Sequence, residues 1–413
     1  MPIAASVNSD PSADEVLSKS RERRALSVAC GAHALHDGYT DLIWVALPIW
    51  QAEFALSYAA VGLLRMIYSG TMASLQIPAA RIAERLGAGA VLALGTAICG
   101  LCYCLAGAAN DPRWLAAALF LGGCGAATQH PIGSALVTRV FTGERALTSF
   151  GTYNFSGDVG KVLLPGAAAV LILFMPWRPA YAFLGLLGIA AALGIFLLTP
   201  RLAPEAARKT ATQDVAREKR TVDLKAGFAI LVVLGIADSL VRGAFFVLLP
   251  FLLMAKGATV STAGLALTLV FIGGAAGKLA CGWIAKWIGM VATVAVAQSL
   301  TAAAMFGVLV LPLKPTLILL PVLGIALNGV TTVIYGSVPG YAPPERRTQA
   351  LSVFYTLSIG SAALSPPLSG LLGDLIGIAN SIVVVSFLTL GTIPLAFALQ
   401  KEGHRRSDSK VGF

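Results

Sequence analysis

The sequence predicts an all-α membrane protein of twelve transmembrane helices in two pseudo-symmetric six-helix bundles. Three observations carry that expectation. The 413 residues are 57% hydrophobic and only 12% charged, with a mean hydropathy of +0.79. That is more apolar surface than one soluble core hides. The apolar runs are long and continuous rather than alternating, which favours helices over a β-barrel. The second half repeats the first in a single gapless register with an offset of 202 residues: Pro48 matches Pro250, Gly62 matches Gly264, Ala83 matches Ala285 and Gly87 matches Gly289. Gly122 matches Gly324, Arg145 matches Arg347 and Pro165 matches Pro367. Such a repeat implies two bundles related by an axis along the membrane normal.

The expected spans run approximately 25–50, 57–79, 88–109, 114–139, 148–174 and 179–199 in the first half. In the second half they run 225–254, 260–284, 289–312, 316–338, 349–372 and 377–399. Each is close to or above the ~20 residues that a bilayer crossing needs. Helix breakers separate them at Asn110-Asp111-Pro112, at Met175-Pro176-Trp177-Arg178-Pro179 and at Pro343-Pro344. The longest polar stretch, 200–224, carries Arg208, Lys209, Arg217, Lys219 and Arg220 and divides the spans into two sets of six. The expected organisation is a tail at 1–24, a bundle at 25–199, a linker at 200–224, a second bundle at 225–399 and a tail at 400–413.

Basic residues are concentrated on one side, and the opposite loops carry only Arg113, Arg178, Lys256 and Lys314. Lys19, Arg21, Arg23 and Arg24 precede the first span, Arg81 and Arg85 follow the second, and Arg145 follows the fourth. Lys286, Arg346 with Arg347, and Lys401 follow the eighth, tenth and twelfth. The positive-inside rule then places both termini and the linker in the cytoplasm of an inner (plasma) membrane protein. The net charge of +10 is accounted for by these loops, so no nucleic-acid partner is expected. Cys30, Cys99, Cys102, Cys104, Cys124 and Cys281 all lie in apolar segments without paired CxxC spacing, which reads as packing rather than metal binding. The polar stretch to Ser20 lacks the apolar core of a cleavable signal peptide.

Inside the first span stand His33, His36, Asp37 and Asp41. On a 3.6-residue helix they share an arc of about 140°. Ionisable groups at membrane depth are costly, so they mark an ion or substrate path. The fifth span offers Asp158 and Lys161, with Asn154 expected on the same face. The seventh offers Asp238 and Arg242 at i and i+4. Asp37, Asp158 and Asp238 each lie 10–13 residues into their spans. At 1.5 Å per residue, that is a common depth of about 15–20 Å. Gln129 and His130, before Pro131, add a polar step to the fourth span, and Arg65 lies in the outer half of the second. Lys278, near the end of the eighth, reads as a snorkelling side chain.

The segment after the second span reads Ala80-Arg81-Ile82-Ala83-Glu84-Arg85-Leu86-Gly87. Its counterpart reads Gly282-Trp283-Ile284-Ala285-Lys286-Trp287-Ile288-Gly289. Both resemble the G-x-x-A-D-R-x-G loop of the major facilitator superfamily, with Ala80 for Gly and Glu84 for Asp. The resemblance covers residues 25–400 and implies the major facilitator fold, with this loop as a gating element. Within that superfamily, His33-x-x-His36-Asp37-Gly38-Tyr39-x-Asp41 and Asn154-x-x-Gly157-Asp158-x-Gly160-Lys161-x-x-x-Pro165 resemble the fosmidomycin-resistance-like branch, which is similar to proton-driven drug exporters.

The expected function is secondary active transport, as a proton-coupled antiporter that exports a small organic ion by alternating access. His33, His36, Asp37, Asp158 and Asp238 are the candidate proton-coupling residues, because a histidine changes charge near neutral pH. Asp41, Arg65, Gln129, His130, Asn154, Lys161 and Arg242 are the candidate substrate contacts. Ala80, Arg81, Glu84, Arg85, Gly87, Gly282, Lys286 and Gly289 form the candidate gate. No cofactor is expected, and the resemblance implies a monomer whose partners are substrate, protons and lipid. Permanent structural salt bridges are the alternative reading of Asp158–Lys161 and Asp238–Arg242. A second function would be divalent metal efflux, with His33, His36, Asp37, Asp41 and His130 as ligands. A membrane sensor or enzyme is disfavoured, since neither a signalling domain nor a nucleophile–base motif is visible.

Overall fold

A computed structural model describes residues 13–141, 143–199, 226–343 and 346–411. The 200–224 linker, the tail to residue 12 and Pro344 lie outside the described residues. Within them the chain forms thirteen α-helices and one 3-10 turn, with no strand. The first half contains α1 (Ala13–Glu53), α2 (Tyr58–Leu86), α3 (Ala88–Ala108), α4 (Pro112–Ala126), α5 (Gln129–Val140), α6 (Gly143–Phe174) and α7 (Trp177–Leu198). The second contains α8 (Ala226–Ala255), α9 (Val260–Ile288), α10 (Met290–Val310), α11 (Leu313–Ser337), α12 (Arg347–Ile376) and α13 (Ile378–Val411). Among the described residues, eight helical segments are long and apolar enough to cross a membrane. The segment carrying His33 to Asp41 falls short because those side chains make it polar.

Eleven expected spans are single helices; the fourth is two. Pro131 has no N–H to offer the Ala127 carbonyl, and its ring crowds that carbonyl. The helix breaks at Ala127–Thr128, where the Thr128 hydroxyl donates to Gly125 O at 2.9 Å. The break leaves His130 on the first turn of α5.

The packing repeats as the sequence does. α1 packs along α6 as α8 packs along α12; α3 along α7 as α10 along α13; α2 against α4 as α9 against α11. The halves meet through α2 with α12 and α6 with α9. Gly87 and Gly289 end α2 and α9 with φ of +91° and +81°. Each donates its N–H to the equivalent alanine, Ala83 O at 2.9 Å and Ala285 O at 3.1 Å. Ser57 and Thr259, also 202 apart, cap the other ends of the same two helices.

The core is shared unequally. At the end bearing the α1–α2 turn, one cluster joins both halves: Trp44 stacks on Phe246 at 5.7 Å, Phe246 on Phe271 at 5.1 Å, and Tyr58 meets Phe251 edge-on at 4.9 Å. There the Asp374 carboxylate on α12 accepts from the N–H groups of Tyr58 and Ala59, at 2.8 and 2.9 Å. Toward the Gly87 end the core divides. Phe228, Leu231, Ile334 and Phe354 belong to the second half alone, and Val28, Ala32, Leu92 and Leu136 to the first. The halves are sealed at one end and parted at the other.

The expected gating loop is helical to Leu86, with only Gly87 forming the turn. Arg81, Glu84, Arg85 and Lys286 are exposed. None forms an ion pair with another described residue. They stand on helix ends at the parted side, where the opposite half is withdrawn.

The tightest helix contact is α1 with α6. A methyl group on Gly160 would overlap the Ala34 carbonyl, and one on Gly38 would come within 2.8 Å of Gly160 O. Gly151, on the same helix, has nothing within 4 Å. Gly160→Ala is therefore expected to cost about 1–3 kcal/mol of stability, and Gly151→Ala much less. Thermal melting of the detergent-solubilised variants measures the difference.

Candidate functional site

The glycines that bring α1 to α6 also bring their charges together. Gly157 lacks the Cβ that would overlap Asp37 Oδ2 and His33. Into that space, Lys161 Nζ reaches 3.2 Å from Asp37 Oδ2 while also lying 3.5 Å from Asp158 Oδ1. Asp158 is held again from the other half, by Lys278 Nζ of α9 at 2.5 Å. A chain of charges thus runs from Asp37 on α1 through Lys161 and Asp158 on α6 to Lys278. Lys278 does not snorkel to the membrane edge as its position suggested. It closes an ion pair between the two halves.

Around Asp37 stand three imidazoles. His33 Nε2 lies 3.5 Å and His36 Nε2 3.8 Å from Asp37 Oδ1. The His130 ring meets His33 at 5.5 Å and His36 at 4.8 Å, both edge-on. His33 stacks on Tyr153 at 4.2 Å, and its Nδ1 lies 2.7 Å from the Tyr153 carbonyl. A carbonyl only accepts, so Nδ1 carries a hydrogen. Nε2 then faces the carboxylate, and two lone pairs would oppose each other unless a proton lies between them.

The other candidates divide. Asp41 accepts from Trp44 Nε1 at 2.9 Å and lies 3.9 Å from Arg65. The Arg65 guanidinium sits 4.5 Å over the Trp44 ring and 5.8 Å over Tyr68. Arg65 is buried and Asp41 is partly buried beside it, and the two face each other. Gln129 is buried and crowds Gly133 together with the Tyr153 hydroxyl. Asn154 is exposed and joins none of these contacts among the described residues. In the second half, Asp238 Oδ2 accepts from Thr331 at 2.9 Å and lies 3.4 Å from Arg242 Nη1, which also bonds Thr331.

For a metal ion, His36, Asp37 and His130 bring ligand atoms within 4.8 Å of one another. Asp41, counted with them from sequence, faces Trp44 and Arg65, and His33 turns its Nε2 to Asp37 Oδ1. The Lys161 ammonium beside Asp37 opposes a further cation, so the cluster fits a proton better than a metal.

Sequence reasoning missed the two contacts that join helices, Lys161–Asp37 and Lys278–Asp158. The i, i+3 spacing of Asp158 and Lys161 pointed to a local pair. The glycines at 157 and 160 were the available sign that α6 lies against another backbone there. Lys161→Gln should destabilise the protein by about 1–3 kcal/mol, since it leaves two covered carboxylates short of a cation. Adding Asp37→Asn should recover part of that loss. Melting temperatures of the two single variants and the double variant test the coupling.

The Major Facilitator Superfamily family model matches residues 29–314 and 231–412. Monocarboxylate transporter 11 of Homo sapiens is 26% identical over 331 residues, 76% of this chain and 68% of that protein. Cephamycin export protein CmcT of Amycolatopsis lactamdurans is 32% identical over 158 residues, 37% of this chain and 32% of that one. An Escherichia coli K12 protein described as "Probable L-galactonate transporter" is 25% identical over 148 residues, 36% of this chain and 33% of that one. The match thus spans about a third of two of these relatives. Among solved structures, a bacterial homolog of the human lysosomal transporter Spinster, inward-facing and unoccupied, superposes with a TM-score of 0.74. It is 18% identical and covers 93% of this chain and 98% of that one, which shows the fold. The chain belongs to the major facilitator superfamily and is a multi-pass membrane transporter, not an enzyme.

Proposed function

We propose that this transporter is an antiporter that exchanges protons for a small organic ion by alternating access. The observation that supports this reading most directly is the His33–Asp37 pair. A proton between His33 Nε2 and the Asp37 carboxylate, 3.5 Å apart, would join them, and the same carboxylate also holds the lysine that reaches the inter-half ion pair. Loss or gain of the Asp37 charge changes what Lys161 is bound to. Lys161 in turn shares Asp158 with Lys278 of the other half. Proton occupancy and the contact between the halves are thereby joined through two carboxylates and two ammonium groups. His36 and His130 place two further ionisable groups beside Asp37.

The charge distribution of the loops supports a reading in which the parted Gly87 end faces the cytoplasm of an inner membrane protein, with both termini on that side. The protein acts as a monomer surrounded by lipid, and each bundle moves as a unit about the sealed end. Export is the favoured direction, in keeping with relatives whose descriptions name export and drug resistance. The two halves bind substrate between them at mid-depth.

The test is proton flux in proteoliposomes loaded with a pH dye, over a panel of organic anions, organic cations and divalent metals. Addition of a transported ion is expected to drive proton movement in the wild type. Asp37→Asn should lose that movement by tenfold or more, following the ~10-fold-per-1.4 kcal/mol scale of a lost charged contact. Flux unchanged in Asp37→Asn would remove Asp37 as the proton carrier. Flux driven only by divalent metals would replace the organic substrate with a metal ion.

A further inference from the structure

The ion pairs of the site share an asymmetry. The side chains of Asp37, Asp158 and Asp238 are 10%, 12% and 2% exposed. The cations they hold, Lys161, Lys278 and Arg242, are 29%, 38% and 21% exposed. In each pair the acid is covered and the cation is accessible. Two of the ammonium groups, one from each half, converge on a single atom, Asp158 Oδ1, at 2.5 Å for Lys278 and 3.5 Å for Lys161.

We propose that Lys278 and Lys161 form the seat for the anionic group of the substrate, that the Asp158 carboxylate fills this seat in the substrate-free protein, and that the substrate is an organic carboxylate. The proposal rests on the transporter reading above and names its substrate class. The internal ligand is itself a carboxylate, so the seat already accepts that group from two directions. Exchanging one carboxylate for another leaves the charge on the two lysines balanced. A cationic substrate would instead approach exposed ammonium groups and be repelled before reaching the covered acids. Lys278 has no other ion partner among the described residues, so it is the cation most completely redirected by an incoming anion. Arg242, on α8, gives a second accessible donor for a polar group at the far end of the substrate.

Occupancy is thereby read at the contact between the halves. With the seat empty, Asp158 of α6 is bonded directly to Lys278 of α9. With substrate present, that bond is replaced by one through the substrate.

The experiment measures binding to the purified protein in detergent, where no gradient exists. The probes are benzoate, hexanoate and gluconate, with benzyltrimethylammonium and benzamide as the cationic and neutral counterparts of benzoate. Binding is read by thermal shift and isothermal calorimetry on wild type, Lys278→Gln, Lys278→Arg and Asp158→Asn. At least one carboxylate is expected to stabilise the wild type, and the cation and the amide are not. Its Kd should weaken about tenfold or more in Lys278→Gln, the loss of one charged hydrogen bond. Lys278→Arg should retain binding, which separates loss of the cation from loss of fold. Asp158→Asn should tighten it by several-fold, because the internal competitor is gone. Stabilisation by none of the carboxylates, preference for benzyltrimethylammonium, or an unchanged Kd in Lys278→Gln overturns the proposal. Proton flux that depends on Asp37 and is driven by cations would contradict the substrate class alone. Lys278-dependent carboxylate binding without proton flux would contradict the antiport reading alone.

Discussion

The lysine at position 161 is the interaction on which the rest of the site depends. A carboxylate at membrane depth must be neutralised within the protein. Asp37 and Asp158 lie on different helices, and one ammonium group serves both. Sharing a cation leaves each acid incompletely compensated, so each needs further partners. For Asp37 these are His33 and His36; for Asp158 it is Lys278 from the opposite half. A shortage of positive charge in the first half is thus met partly by the imidazoles beside Asp37 and partly by a residue of the second half. That shortage connects the ionisation of a buried acid to the way the halves meet.

The backbone features serve this arrangement. Gly157 and Gly160 let α6 lie against α1 closely enough for Lys161 to reach across. Pro131 breaks the fourth span and leaves His130 at the start of a new helix, its ring edge-on to both His33 and His36. The broken span has no equivalent in the second half, where α11 runs continuously from Leu313 to Ser337. The internal repeat therefore extends to the turns, the caps and the helix pairing but not to the chemistry. Asp238 with Arg242 and Thr331 is a compact cluster of two adjacent helices, while the Asp37 network spans both halves.

Most of the fold was legible in the sequence because hydropathy and the 202-residue repeat are properties of single segments. Gly87 and Gly289 were matched by position alone, and both adopt the same left-handed turn with the same hydrogen bond. The site was legible only in part. Periodicity places His33, His36 and Asp37 on one helix face, and depth arguments bring Asp158 to the same level. Which charges meet depends on how helices pack, and spacing within one helix says nothing about that. Lys161 was therefore read with its local neighbour Asp158 and not with Asp37. Lys278 was placed at a membrane edge because its partner lies 120 residues away. Asp41 was read with the His33–Asp37 face and Arg65 by its depth alone, and packing brings the two within 3.9 Å, the guanidinium over Trp44. The parting of the core at the Gly87 end likewise has no one-dimensional signature.

The Asp158–Lys278 pair links α6 to α9 across the halves, and its loss should release the arrangement seen here. Spin labels on Glu84→Cys and Lys286→Cys, exposed on α2 and α9 at the parted end, report that arrangement directly. They would be placed in a background with the partly exposed Cys30, Cys104 and Cys124 replaced. Pulsed dipolar spectroscopy on the substrate-free protein should give a long distance in the wild type. Lys278→Gln should transfer a substantial part of the population to a shorter one, because the link that stabilises the parted state is gone. A distance distribution identical in the wild type and Lys278→Gln would contradict the account.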